Sequence, residues 1–260
     1  MLLEVRSLCV RYDEKSEPAV RDVSFSLDAG EILGLVGESG SGKSAAARAI
    51  MGLLPADAAV TGQVLFDGAD LTAVSDKERR KYLGSEIGMV FQEPLSAMDP
   101  LMRVGRQVEE TLRIHTSMSA AERKARALEA LAMAGLPEPG AVYRAYPHML
   151  SGGMLQRAMI AAAIAAGPRL LILDEPTTAL DVTVQAQILN LLKTLNETQH
   201  IAMLFISHDL GVVRKICPGV AVMQKGEIVE TGETQVVFRS PQHPYTKLLL
   251  AAKEGSKQEP

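Results

Sequence analysis

The sequence predicts an α/β fold built on a mostly parallel β-sheet, and three observations carry that expectation. Short apolar runs that read as strands alternate with amphipathic stretches that read as helices, the order that builds parallel sheets covered on both faces. One such run, Ile32–Val36, feeds a glycine-rich turn that opens a helix. Between about Gln92 and Ala166 the strand signal disappears, which marks an all-helical insertion.

Residues 3–10 and 22–36 alternate or run apolar as short strands, broken by the turn Asp28-Ala29-Gly30. Ala45–Leu53 reads as a helix that starts at Lys43. Gln63–Phe66, followed by Asp67-Gly68, is a further strand and turn, and Ile87–Phe91 is a buried strand that ends at Gln92. Ala120–Ala134 is strongly helical, with Glu122 and Arg126 at i,i+4, a stop at Gly135 and Pro137 beyond. Strands return at Leu170–Leu173 and Ala202–Ile206; the helix between them lays Ile188, Leu191, Leu192 and Leu195 along one face. Val220–Met223 and Glu227–Glu230, joined by Lys225-Gly226, form a late hairpin.

The composition is that of an ordinary globular chain: 260 residues, 47% hydrophobic and 22% charged. A net charge of −4 argues against a chain that coats nucleic acid nonspecifically, while leaving room for a local basic patch; no nucleic acid is expected among the partners. Two cysteines, Cys9 and Cys217, lie far apart and read as buried small hydrophobes in a reducing compartment. The five histidines show no i,i+4 pairing of the zinc-site kind. The N-terminus lacks a basic segment followed by a long apolar core, so no signal peptide is expected. The least polar long run, Ala158–Gly167, is far short of the ~20 residues a membrane span needs.

Gly37-Glu38-Ser39-Gly40-Ser41-Gly42-Lys43-Ser44 is a complete match to the phosphate-cradling loop G-x-x-x-x-G-K-[ST], in the required strand–turn–helix context. Successive backbone N–H groups there make an anion nest, and the glycines allow positive φ and close approach to phosphate oxygens. Lys43 is placed for the β- and γ-phosphates and the Ser44 hydroxyl for Mg²⁺, with Ala45 next on the helix. Leu170–Leu173 ends in Asp174 and Glu175, acids delivered at the edge where α/β sheets put their chemistry. Strands often end in acids, but beside a phosphate loop Asp174 is expected to hold Mg²⁺ and Glu175 to polarise the attacking water. Ser151-Gly152-Gly153 before an apolar helix builds a second helix start with free N–H groups. It reads either as a plain capped loop or as a second anion site, which in a chain with one phosphate loop points to two chains sandwiching one nucleotide.

With these motifs in this order, nearly the whole chain resembles an ATP-binding cassette (ABC) ATPase. The resemblance implies a P-loop NTPase core with an antiparallel β subdomain and an inserted α-helical subdomain. It implies one nucleotide-binding domain over 1–252: core 1–92 and 167–232, helical subdomain about 93–166, C-terminal helices 233–252, then a polar tail over 253–260. It implies ATP and Mg²⁺ as ligands and ATP hydrolysis as the reaction. Tyr12 is then the residue that stacks on adenine, although a core or surface tyrosine fits the sequence too. Gln92 matches the glutamine that contacts Mg²⁺ and attacking water, and Ser151, Gly152 and Gly153 match the signature that closes over the γ-phosphate of the opposite subunit. Thr178-Ala179-Leu180-Asp181 resembles the segment through which Asp181 communicates across the dimer, and His208 matches the switch histidine at the γ-phosphate. Met154 departs from the common signature, which has Gln; the consequence falls on the partner's site, because this segment completes that one.

Met154, the segment Phe91–Pro100 and the C-terminal stretch Ser240–Leu250 resemble the oligopeptide, dipeptide and nickel import branch. Many members continue into a cysteine-bearing extension; this chain stops soon after Ala252 without one, and the short form resembles the nickel or metal-chelate importers more. The implied partners are a second, unlike ATPase subunit, two transmembrane permease subunits and, indirectly, an extracytoplasmic substrate-binding protein. The implied location is the cytoplasmic face of the inner membrane, held there peripherally. The rival expectation is a soluble, non-transport ABC ATPase of DNA repair or the ribosome, a type that usually carries paired cassettes, coiled-coil insertions or basic arms.

Overall fold

The structure is a computed structural model that describes residues 1–13 and 16–255; from residue 256 onward the polar tail expected at 253–260 lies outside the described residues. The first stretch holds β1 (Leu3–Arg11), β2 (Val20–Leu27), β3 (Ile32–Val36), α1 (Lys43–Ile50), β4 (Ala59–Phe66) and β5 (Ala69–Asp70). The middle stretch runs α2 (Asp76–Arg79), β6 (Ile87–Val90), α3 (Pro94–Ala97), α4 (Val104–His115), α5 (Ala120–Met133), α6 (Pro139–Arg144), α7 (Gly152–Ile164), β7 (Leu170–Asp174) and α8 (Val182–Gln199). The last holds β8 (Ala202–Ser207), α9 (Leu210–Ile216), β9 (Gly219–Gln224), β10 (Glu227–Glu233), α10 (Thr234–Arg239) and α11 (Pro244–Gly255). Contacts gather the first and last stretches into one compact unit and residues 76–201 into a second.

In the first unit β2, β1, β4 and β5 form an antiparallel sheet in that order. β3 lies between β8 and β9, parallel to both, and β10 pairs antiparallel with β9. All five residues of β3 are buried, which is why Ile32–Val36 reads as a continuous apolar run without alternation. The register pairs Val36 with Ser207 and with Val222, so the chain leaves β3, β8 and β9 at one shared edge. α1 packs through Ala46, Ala47, Ala49 and Ile50 and stops there, short of the expected Leu53; Gly52 turns the chain at φ 62° and Leu53 is exposed. β4 begins at Ala59, ahead of the expected Gln63, because its first five residues are exposed and carry no apolar alternation; its ladder with β1 makes it a strand. The late hairpin turns at Lys225 and Gly226, both at positive φ, the backbone that a tight two-residue hairpin turn needs. Cys217 is buried as expected, whereas Cys9 is half-buried and its Sγ accepts the Asp22 N–H at 3.2 Å.

In the second unit β6 and β7 are parallel and fully buried. The ladder ends at Val90, so Phe91, expected inside the strand, is exposed. Between these strands the described residues form helices only, and α4 to α7 close around Val104, Val108, Leu112, Ala127, Leu131, Val142 and Leu155. α5 starts on a reciprocal cap: Ser119 Oγ accepts the Glu122 N–H, and the Glu122 carboxylate accepts the Ser119 N–H at 2.7 Å. Glu122 therefore serves the cap, not Arg126, which donates to the Ala165 carbonyl at 2.9 Å and meets Glu129 at 2.8 Å, tying α5 to the end of α7. α8 buries Ile188, Leu189, Leu192 and Leu195, while Leu191 is half-buried against the helical cluster. Among the described residues no helix is long and apolar enough to cross a membrane.

Candidate active site

The phosphate loop leaves β3 and enters α1 within the first unit. Gly37 and Gly42 sit at φ 156° and 104°. A Cβ would lie 2.1 Å from the Met223 carbonyl oxygen at Gly37 and 2.3 Å from the Ala19 carbonyl oxygen at Gly42, so only glycine permits this path. Around Gly40 the same construction meets nothing within 4 Å, and the loop is open there. Outside, the loop is braced by the Gly226 N–H, which donates to the Ser41 carbonyl at 2.9 Å. Gly42 at the N-cap of α1 carries no side chain to cap the helix, and a helix start of this kind suits an anion. Lys43, 4% exposed, donates from Nζ to the Gly37 carbonyl (2.9 Å), the Glu38 carbonyl (2.7 Å) and Ser41 Oγ (3.2 Å). Its ammonium is thus held over the loop by oxygens of the loop itself. His208 follows β8 directly, one residue past the Val36–Ser207 pair that ends its ladder with β3. Tyr12 follows β1 with its ring exposed.

The acids stand in the second unit. The Val90–Leu173 register, carried on by two residues, sets Gln92 beside Glu175. Gln92 Nε2 donates to Glu175 Oε2 at 3.1 Å, and Thr178 Oγ1 donates to the same oxygen at 2.8 Å. Asp174 and Glu175 are 3% and 9% exposed, and Glu175 has φ 49°, an uncommon left-handed backbone for a non-glycine residue. The Asp174 carboxylate, the Ser44 hydroxyl and the Gln92 amide oxygen are hard oxygen donors of the kind magnesium takes, so the residue types fit that ion. Among the described residues no group of three or more His, Cys, Asp or Glu gathers as a metal site of its own.

The second helix start is also in this unit. Ser151 caps α7, its Oγ accepting the Met154 N–H at 3.4 Å. Gly152 is exposed, and a Cβ on it would meet nothing within 4 Å. On Gly153 a Cβ would fall 2.7 Å from Val184 Cγ1. The Met154 side chain is half-buried against the helical cluster. Asp181 caps α8, accepting the N–H groups of Thr183 (3.0 Å) and Val184 (2.9 Å). Two contacts were not legible in the sequence: Thr178 on Glu175, and a bond from the Glu38 N–H to the Tyr245 hydroxyl at 3.1 Å. A hydroxyl three residues past a catalytic-type acid was the only available signal for the first, and nothing local signals the second.

Comparison with known proteins gives a consistent picture. The family profile described as "ABC transporter" matches residues 20–178. A peptidoglycan transport ATP-binding protein of Agrobacterium fabrum is 51% identical over 255 residues; the match takes 96% of this chain and 47% of that protein, so the chain spans about half its length. A dipeptide transport ATP-binding protein of Escherichia coli is 46% identical over 96% of this chain and 78% of its own. A metal-staphylopine import ATP-binding protein of Staphylococcus aureus is 45% identical over 97% and 93%. Among solved structures, a dimeric post-hydrolysis state of an ATP-binding cassette bound to ADP and Pi superposes with a TM-score of 0.79 at 32% identity, covering 89% of this chain and 98% of that one.

Proposed function

The chain belongs to the ABC transporter family, and from that premise we propose that it is the ATP-hydrolysing subunit of an importer for dipeptides, oligopeptides or metal chelates. The observation that carries the reading is one chain holding both a complete phosphate loop and a buried acid pair, Asp174 and Glu175, at the end of a parallel strand. The relatives named for dipeptide transport and for metal-staphylopine import support the transport class and both cargo classes.

In this proposal ATP lies with its phosphates on the amides of Gly37–Ala45, Lys43 against the β- and γ-oxygens and Tyr12 against adenine. Mg²⁺, held by Ser44, Asp174 and Gln92, neutralises phosphate charge when bound. Glu175, oriented by Gln92 and Thr178, accepts a proton from water attacking the γ-phosphorus; the bond to the bridging oxygen breaks and ADP and phosphate leave. His208 reports the γ-phosphate at the neighbouring strand end. Ser151, Gly152 and Gly153 complete the site of a second ATPase subunit, and that subunit's signature completes this one. The open space at Gly152 favours this reading, because among the described residues nothing lies within 4 Å of a Cβ placed there. Two permease subunits at the cytoplasmic face of the membrane, served by a binding protein outside, receive the motion of helical residues 93–166. Affinity purification of the full chain from solubilised membranes tests it: two polytopic membrane proteins and a second cassette are expected, and recovery with DNA or ribosomes instead overturns it.

A further inference from the structure

The stretch Ser240–Leu250 stands out in the sequence yet has no part in the chemistry above. The fold brings it to the phosphate loop. The peptide group between Gly37 and Glu38 is bonded at both edges: its carbonyl accepts from Lys43 Nζ at 2.9 Å and its N–H donates to the Tyr245 hydroxyl at 3.1 Å. A peptide plane that follows a glycine rotates at little cost, and bonds on opposite edges of one rigid plane fix that rotation. Tyr245 is 6% exposed and is itself anchored. His243 Nδ1 accepts the Tyr245 N–H at 3.2 Å, and the Glu230 carboxylate, from β10, accepts the N–H groups of Gln242 (2.8 Å) and His243 (3.0 Å). Burial pushes the Tyr245 phenol up, so the hydroxyl stays protonated and neutral. Residues 242–245 are thus tied by hydrogen bonds to a carboxylate on β10 at one end and, through the Tyr245 hydroxyl, to the loop peptide whose carbonyl meets the Lys43 ammonium at the other.

We propose that Tyr245 is a positioning residue for the phosphate loop, setting the Gly37–Glu38 peptide that presents its carbonyl to Lys43. The proposal rests on the nucleotide-site reading of that loop. Tyr245→Phe in the full chain keeps the ring and removes only the acceptor. Its measured quantities are hydrogen exchange of the Glu38 amide, with the α1 amides as internal reference, and the Kd for MgATP. Faster exchange at Glu38 alone is expected, with affinity weakened about two- to tenfold, the worth of one net hydrogen bond. In the assembled transporter KM should rise more than kcat falls. Lys43→Ala separates the two claims: wild-type MgATP affinity in that variant defeats the nucleotide-site reading. Loss of affinity in Lys43→Ala, with Tyr245→Phe unchanged in both affinity and Glu38 exchange, defeats the positioning role alone. If Tyr245→Phe speeds exchange throughout the unit, Glu230→Ala decides, since it removes the acceptor of the Gln242 and His243 N–H groups without touching ring or loop. Weakened MgATP binding there supports the proposal, and wild-type binding with freed Gln242 and His243 amides overturns it.

Discussion

Alanine at Gly152 and alanine at Gly153 are one methyl group each on adjacent residues, yet the structure assigns them different consequences. At Gly153 the new Cβ stands 2.7 Å from Val184 Cγ1, about 1 Å inside an ordinary carbon–carbon contact. Valine is stiff about χ1, and Val184 sits in the first turn of α8, its N–H bonded to Asp181. Relief must therefore move the start of that helix. Such overpacking costs about 1–3 kcal/mol, offset by up to ~1 kcal/mol from replacing glycine in a helix. A net loss of about 1–2 kcal/mol lowers Tm by roughly 2–6 °C in a chain of this size. At Gly152 the methyl group meets nothing within 4 Å, so Tm should hold or rise slightly. Function inverts the order of severity relative to stability. If Gly152 faces the γ-phosphate of a partner's nucleotide, a methyl group displaces that phosphate by about 1 Å and ATPase activity of the assembled complex falls by on the order of 10². Calorimetry of each variant and steady-state hydrolysis by the complex are the two assays. Equal Tm losses at both positions would refute the packing argument, and a fully active Gly152→Ala complex would refute the intermolecular one.

Thr178→Val is nearly isosteric and removes the hydroxyl that donates to Glu175 Oε2. Single-turnover hydrolysis should slow by about two- to tenfold with nucleotide affinity unchanged, and an unchanged rate would remove Thr178 from the site. Tyr143 reports on the helical cluster, because burial, then the hydrogen bond and charge of Glu109, push its phenol up to about 12. A folded value above the unfolded one of 10.0 means stability that is full below pH 10 and is lost as pH rises through about 12. The difference in tyrosinate absorbance between wild type and Tyr143→Phe across that window checks it; a Tyr143 that titrates at its ordinary value contradicts it.

Much of the fold was legible because its central strands are buried on both faces. Ile32–Val36 and Leu170–Leu173 announce themselves as uninterrupted apolar runs ending in chemistry. The misreadings lie where burial does not shape composition. The first half of β4 is exposed and is a strand only by its ladder, and Phe91 is apolar but lies outside the sheet. Glu122 and Arg126 have the spacing of an ion pair, but a helix cap and a distant carbonyl satisfy them better. Of the candidate site, local motifs single out the loop glycines, Lys43, the acids and the serine that caps α7, whereas the cap that Asp181 makes on α8 was not read from the sequence. Tyr245 was not, because its bond to the Glu38 amide closes over 207 positions and depends on the fold of the whole first unit. Met154 reads as a lost hydrogen-bonding group, whereas the structure turns its side chain toward an apolar cluster.

The central claim is that this chain's phosphate loop is half of an active site closed by a second chain. Glu175→Gln keeps the size of the side chain and its acceptor oxygen for Gln92 and Thr178 while removing the base. With the partner ATPase subunit and MgATP, sedimentation should show a stable ATP-dependent dimer, and turnover should fall by about 10²–10⁴. A Glu175→Gln chain that hydrolyses ATP at the wild-type rate, or that never associates on adding MgATP, contradicts the account.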